Sequence, residues 1–369
     1  MNWKPLALLA VACSLLLGGC GQKCDNTGAG KTAAATPEKV FHWKLVTTWP
    51  KNFPGLGTAP EHFAERVAAM SNGRLQIKVY GANELVPAMG VFDAVSGGAA
   101  EMGHSAAYYW KGKVPAAPFF TTIPFGMNAQ EMNAWLKYGG GMKLWRDLYA
   151  KYNLVPLPGG NTGVQMAGWF KKEIKSVDDL KGLKMRIPGL AGEVFERLGG
   201  VPVTLPGGQI FTSMQTGAID AAEWVGPYND LTFGFYKVAK YYYYPGWHEP
   251  GPMLEFIINK DAWNRLPPDL QAIVTNAAGA VNQDMLDEYT ARSNTALKEL
   301  VEQHGVQLRK LPDDVIEALR KATNEVMQET IAKDADAKKI YESYTTFQKN
   351  VEPYIKISEQ AYLETRQSD

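Results

Sequence analysis

The period of the apolar positions changes repeatedly along the chain. In FHWKLVTTWP (41–50) and RLQIKVYG (74–81) apolar and polar residues alternate, the period of a strand with one covered face. Between them, APEHFAERVAAMSNG places Phe63, Val67 and Met70 at helical spacing, and Gly73 supplies the stop. Strand, helix, strand predicts a largely parallel sheet covered by helices. The order returns downstream, with VQMAGWF and LKMRIP as strands, GEVFERLGG as a helix and VPVTL as a strand.

Two stretches align with each other. VFDAVSGGAAEM (91–102) and IFTSMQTGAIDA (210–221) pair Phe92 with Phe211, Gly98 with Gly217, Ala99 with Ala218 and Glu101 with Asp220. Each reads as a short helix closed by a glycine, where a left-handed cap costs least, followed at once by a strand. Two matching α/β halves predict two lobes with a cleft between them. Further on, MLEFIIN reads as a strand. After Pro267-Pro268, the spacing of Leu270, Ile273, Val274 and Ala277 predicts a long amphipathic helix. Beyond Leu311 the pattern is helical to the end.

Composition adds size and compartment. With 369 residues, 46% of them hydrophobic, the chain exceeds one ordinary core. Basic and acidic residues balance at 38 each, without the basic excess of a phosphate-tracking surface, so no nucleic-acid partner is expected. The N-terminus, MNWKPLALLAVACSLLLGGC, carries Lys4 and an apolar run from Leu6 to Leu17, which has the length of a signal-peptide core and is too short for a membrane span. Its end resembles a bacterial lipobox and predicts lipidation at Cys20, the alternative being a cleaved secretory signal without lipid, followed by a flexible tether over 21–40. The three cysteines are Cys13, Cys20 and Cys24, so the body beyond them has no disulfide, thiol nucleophile or cysteine metal site. The chain is therefore expected in the periplasm or cell envelope.

Candidate enzymatic chemistry is thin. GHSAA (103–107) nearly matches the nucleophile elbow of a serine hydrolase, but Ala107 replaces its last glycine and YYW follows where the elbow would enter a helix. An envelope hydrolase using Ser105 is one alternative reading, and a purely structural lipoprotein is another. The five histidines lack metalloprotease spacing, and GLGTAP, GGGMK and GGNTG lack the phosphate-loop lysine and the dinucleotide fingerprint. What remains is a set of polar and aromatic residues at predicted strand ends, where ligands collect in open α/β sheets. They are Tyr108, Tyr109, Asn161, Gln165, Arg186, Glu223, Trp224 and Glu249. Arg186 alternates with Leu183, Met185 and Ile187, so its side chain points away from that apolar face, and Pro188 ends the strand.

The stretch SVDDLKGLKMRIPGLAGEVFERLGGVPVTLPGGQIFTSMQTGAIDAAEW resembles the solute-binding proteins of TRAP transporters, the tripartite ATP-independent periplasmic carriers. The resemblance spans about 41–340. It implies a two-lobed α/β fold like that of periplasmic binding proteins, with hinge strands, a long spanning helix and a helical C-terminal tail. It also implies binding rather than catalysis, delivery of the solute to TRAP membrane subunits, and a carboxylate clamp at Arg186. GGNTGVQMAGWF, AAEWVGPYND and YYYYPGWHEPG are similar to the branch that binds 2-oxo or 2-hydroxy monocarboxylates, of the pyruvate, lactate or longer 2-oxo acid type, together with a metal cation. By that resemblance Gln165, Glu223, the Trp224 carbonyl and Glu249 hold Ca²⁺ or Na⁺, while Arg186, Asn161 and Tyr108 or Tyr109 hold the acid. The chemistry is compatible, since a guanidinium fork matches a carboxylate and a hard cation takes oxygen ligands. The implied division is a signal peptide over 1–20, the tether, lobe I over 41–155 and 220–258, lobe II over 156–219 and 259–310, and C-terminal helices over 311–369 that form a homodimer.

Overall fold

The computed structural model describes residues 39–366. The expected signal peptide, Cys20 and nearly all of the tether lie outside the described residues. Eleven strands follow one another as β1 (Phe41–Thr47), β2 (Leu75–Tyr80), β3 (Met102–Ser105), β4 (Leu154–Asn161), β5 (Gly168–Phe170), β6 (Lys184–Arg186), β7 (Val201–Val203), β8 (Ala221–Ala222), β9 (Tyr241–Tyr244), β10 (Met253–Asn259) and β11 (Gln307–Lys310). They form two sheets, ordered β2-β1-β3-β10-β4 and β11-β9-β5-β8-β6-β7. The helices are α1 (Ala59–Met70), α2 (Val91–Ser96), α3 (Ala129–Tyr138), α4 (Gly141–Ala150), α5 (Gly189–Arg197), α6 (Gly207–Thr216), α7 (Pro227–Phe233), α8 (Lys260–Asn264), α9 (Pro268–Glu302), α10 (Asp313–Lys333), α11 (Ala335–Ile355) and α12 (Ala361–Arg366). Among the described residues no helix is long and apolar enough to cross a membrane.

The sequence repeat is a structural repeat. Parallel β2-β1-β3, connected through α1 and α2, has its counterpart in parallel β7-β6-β8, connected through α5 and α6. Each triplet is extended by an antiparallel neighbour, β10 on β3 and β5 on β8. The aligned Gly98 and Gly217 take φ +78° and +79°, the left-handed turn that favours glycine. The aligned carboxylates also do the same work. Glu101 accepts the backbone N–H of Lys44 on β1 at 2.8 Å, and Asp220 accepts that of Lys184 on β6 at 3.1 Å.

The expected lobe boundaries are not those of the sheets. Residues 220–258 are expected in lobe I, yet β8 and β9 belong to the second sheet and only β10 returns to the first. The cause is the repeat itself, because β8 is the copy of β3 and must pair with its own β6. Likewise β4 stays in the first sheet to Asn161, beyond the expected boundary at 155.

The long helix α9 packs against β4, α1 and α7, so one rod braces elements of both halves. Its buried stripe includes Leu270, Val274, Ala277, Val281, Met285 and Tyr289. Burying each large apolar side chain of this kind is worth about 1.5–3 kcal/mol. On α1 Phe63 and Val67 are buried, whereas Met70, expected on the same face, is exposed where the helix ends. In the C-terminal tail, α10 packs on α5, and α11 packs on α3 and α4. Pro353 lies inside α11, where it removes one backbone donor, and a π-helical turn over Lys356–Gln360 follows before α12.

Candidate functional site

Two short segments carry the chain from one sheet to the other, 162–167 between β4 and β5 and 245–252 between β9 and β10. They run side by side. The Gln165 N–H donates to the Glu249 carbonyl at 3.1 Å. Gly246 lies so close that a Cβ there would sit 2.0 Å from the Gln165 carbonyl oxygen. Asn161 ties the pair together, donating from Nδ2 to Gly251 O at 3.0 Å and accepting the Gly163 N–H at 2.9 Å. Its described bonds are therefore to the crossovers, with none to Arg186.

Arg186 is the last residue of β6 and is fully buried. In the repeat its counterpart is Val46: Arg186 pairs with Ala222 as Val46 pairs with Gly103. The two halves thus differ at the position that carries the charge. The Arg186 guanidinium donates from Nε to Leu205 O at 3.1 Å, from one Nη to the Glu223 carbonyl at 3.2 Å and to the Glu223 carboxylate, and from the other Nη to Tyr109 Oη at 2.9 Å. Trp224 covers it, with its ring 5.1 Å from the guanidinium carbon. Burial opposes the arginine's charge, but Glu223 and its neighbours more than offset this and raise its pKa, so it stays protonated. Tyr109 comes from the first half, in the turn after β3, so Arg186 joins the two halves. Tyr108 packs edge-on to Tyr109 with ring centroids 4.7 Å apart, and its Cβ lies 3.0 Å from where a Cβ on Gly189 would be. Burial raises both phenol pKa values and keeps the two tyrosines neutral donors. Nearer the surface Lys111, just past this turn, pairs with Glu193 on α5.

Beside the arginine lie Glu223, His248 and Glu249, one ligand atom of each within 4.8 Å of the others, and all are buried. His248 Nε2 is 3.3 Å from the second Glu223 oxygen. Glu249 Oε2, His248 Nδ1 and Gln165 Oε1 are buried without a hydrogen-bond partner. Buried polar atoms without partners are costly, and a cation removes that cost for two of them by accepting oxygen ligands. Burial first, and the Glu223 charge second, raise the Glu249 pKa well above its ordinary value, with Arg186 acting in the opposite direction. The donor set therefore fits a hard cation: two carboxylates, with Gln165 adjacent through the backbone bond to Glu249. If the ion binds there, it would supply positive charge between the carboxylates and a position at which two oxygens of one ligand can be chelated.

Of the residues expected from the sequence, the structure gathers Arg186, Glu223, Trp224, Tyr108, Tyr109 and Glu249 in one place and puts Gln165 and Asn161 on the adjoining crossover. Ser105 stands apart. It is buried with Thr48 Oγ1 as its partner at 2.6 Å, and the neighbouring His104 is committed to Trp49 Nε1 and the Gly159 carbonyl, both at 2.8 Å. Burial lowers the His104 pKa to about 4, so the pair offers no base to a serine nucleophile. His248 was missed. Its sequence signal is its place next to Glu249 in GWHEPG, since the cluster forms across two crossovers and not at ligand spacing within one helix.

Residues 45–334 match the family described as bacterial extracellular solute-binding protein, family 7. The chain is 45% identical over 339 residues to a monocarboxylate 2-oxoacid-binding periplasmic protein of Nostoc sp. (strain PCC 7120), covering 92% of each. It is similar to a TRAP periplasmic solute-binding protein of Pseudoalteromonas atlantica T6c crystallised with sodium and pyruvate, at 48% identity and TM-score 0.87, covering 89% of this chain and 100% of that one. It is also similar to a TRAP transporter solute-binding protein of Bordetella bronchiseptica RB50, described as a mixed-occupancy dimer with copurified calcium and picolinate. There the identity is 40% and the TM-score 0.87, with 89% of this chain and 97% of that one covered.

Proposed function

Because the chain belongs to the family-7 bacterial extracellular solute-binding proteins, the periplasmic binding components of TRAP transporters, we propose that it captures a 2-oxo or 2-hydroxy monocarboxylate of the pyruvate class together with a cation and delivers it to TRAP membrane subunits. The observation that carries this reading is the juxtaposition of a fully buried Arg186 with the Glu223–His248–Glu249 cluster. Arg186 and Tyr109 receive the carboxylate. The cation sits among Glu223, Glu249, the Gln165 side-chain oxygen and the Trp224 carbonyl, and chelates one carboxylate oxygen and the 2-oxygen of the acid. Asn161 acts as the brace of the crossovers. On charge the site favours Ca²⁺, since two carboxylates and the acid's own charge are balanced by one arginine and a divalent ion. The relatives' sodium and calcium both belong to this class of hard cation.

Capture without turnover is the expected behaviour. Native mass spectrometry of protein purified without added ligand is expected to find the chain carrying one small acid and one cation, with the acid recovered unchanged after denaturation. Recovery of a chemically altered acid after incubation with pyruvate would defeat the binding reading.

Two finer assignments follow. Cys20 is lipidated and anchors the protein, so a Cys20→Ala protein is expected in the soluble envelope fraction, and a membrane-bound variant counts against the anchor. The C-terminal helix pairs with a second copy, because α12 buries none of its residues, and Tyr354 and Ile357 before it and Tyr362 and Leu363 on it are exposed. Sedimentation is expected to give a dimer at micromolar concentration, reduced to a monomer by removal of 354–369. A monomeric full-length protein removes the assignment.

A further inference from the structure

Two buried carboxylates stand behind the site without belonging to it, one in each half. Glu255, on β10, is fully buried and accepts from Trp110 Nε1 at 2.5 Å and from Tyr149 Oη at 2.8 Å. Asp230, on α7, accepts at Oδ2 from Trp169 Nε1 at 2.9 Å and from Tyr242 Oη at 2.7 Å, and at Oδ1 from the Val225 N–H at 3.3 Å. Each therefore takes one indole and one phenol donor, with no cation among these bonds. Burial pushes both pKa values up to about 7, the mark of a carboxylate that is expensive to keep in place.

What each one holds differs. Trp110 ends the turn Ala107–Trp110, whose Tyr109 bonds Arg186. The register of β10 against β4 shifts between Leu254 and Glu255, leaving Gly159 as an extra residue. Such a bulge re-aims the side chain next to it. Val225 follows Glu223 and Trp224 directly, and its carbonyl accepts the Met166 N–H at 3.0 Å, beside Gln165. Asp230 thus fixes the end of the segment that carries the cation ligands.

We infer that Glu255 and Asp230 are positioning residues for separate arms of the site, Glu255 for the acid through Trp110 and Tyr109, and Asp230 for the cation through Val225, Trp224 and Glu223. The inference rests on the acid-plus-cation reading proposed above. An amide has one acceptor oxygen: at 230 its N–H end meets either the Trp169 indole or the Val225 N–H, both donors only, so one of them must move, and at 255 the Trp110 bond survives only if the Tyr149 hydroxyl turns from donor to acceptor, which loosens the brace.

The test is calorimetry on the full chain with two probes, Ca²⁺ alone and pyruvate at saturating Ca²⁺. Partners that orient ligands from outside typically matter about 10- to 100-fold. Glu255→Gln is expected to weaken pyruvate by about 10-fold or more and leave Ca²⁺ within about twofold, and Asp230→Asn is expected to weaken Ca²⁺ by about 10-fold or more, with pyruvate affinity restored as Ca²⁺ is raised. Should an amide variant fail to fold, Tyr149→Phe and Tyr242→Phe, which remove one donor each, are expected to give the same split with smaller shifts. Equal losses of both probes in both variants, or unchanged affinities in both, overturn the inference. A wild-type protein that binds neither probe defeats the ligand reading instead.

Discussion

Arg186→Met is expected to lower pyruvate affinity at least about 100-fold while leaving Ca²⁺ binding intact or stronger. Hydrogen bonds to a charged group are worth roughly 1.5–3 kcal/mol each, and the change removes both the guanidinium's bond to the carboxylate and its hold on Tyr109 Oη, the second group assigned to the acid. The split follows from charge. Removing the guanidinium takes the compensating cation from Glu223, which it bonds through two oxygens, and leaves a site more negative towards a metal ion. Without an ion, the same change leaves Glu223 buried without its arginine, and breaking a buried pair typically destabilises by about 3–5 kcal/mol. The variant is therefore expected to melt well below wild type in chelator and to recover in Ca²⁺. Arg186→Lys keeps the charge but loses the planar fork, and is expected to bind between the two. Calorimetry against pyruvate, lactate and longer 2-oxo acids, with cation present, measures this. Wild-type affinity of Arg186→Met for every acid that the parent binds would remove the carboxylate clamp.

Glu223→Gln is expected to have the second large effect, because Glu223 is where the two arms meet. Its carboxylate receives Arg186, faces His248 Nε2 at 3.3 Å and belongs to the cluster with Glu249. Truncating one partner of a buried charge pair costs about 2–5 kcal/mol of binding, so Ca²⁺ affinity is expected to fall by about 30-fold or more, and acid affinity with it. Chelator added to wild-type protein is expected to reproduce the acid-binding defect. Glu249→Gln is expected to be milder, since Glu249 has no described bond to Arg186 and burial already raises its pKa. If Glu223→Gln binds Ca²⁺ as wild type does, the ion is held elsewhere.

The periodicity of the sequence determined the local elements and the repeat. The spacing of Phe63 and Val67, the break at Pro267-Pro268, and the pairing of Gly98 with Gly217 and of Glu101 with Asp220 each have a local cause, a helical face, a proline or a left-handed cap. The residue types of the site were legible for a related reason: a strand that alternates Met185 with Arg186 and stops at Pro188 presents its charge at a carboxyl end. Tertiary structure decided the rest. Which strands share a sheet depends on pairing partners far away in sequence, and so β8 and β9 join the second sheet although 220–258 is expected in lobe I. His248 became a member of the cluster only because the two crossovers run together, Gln165 against Glu249, an approach that the glycine at 246 permits and no spacing within one segment encodes. Nothing in the sequence separates Asp230 and Glu255 from ordinary acids. Only the folded core surrounds each with an indole and a phenol and, by excluding water, makes a surface-type residue into an internal brace.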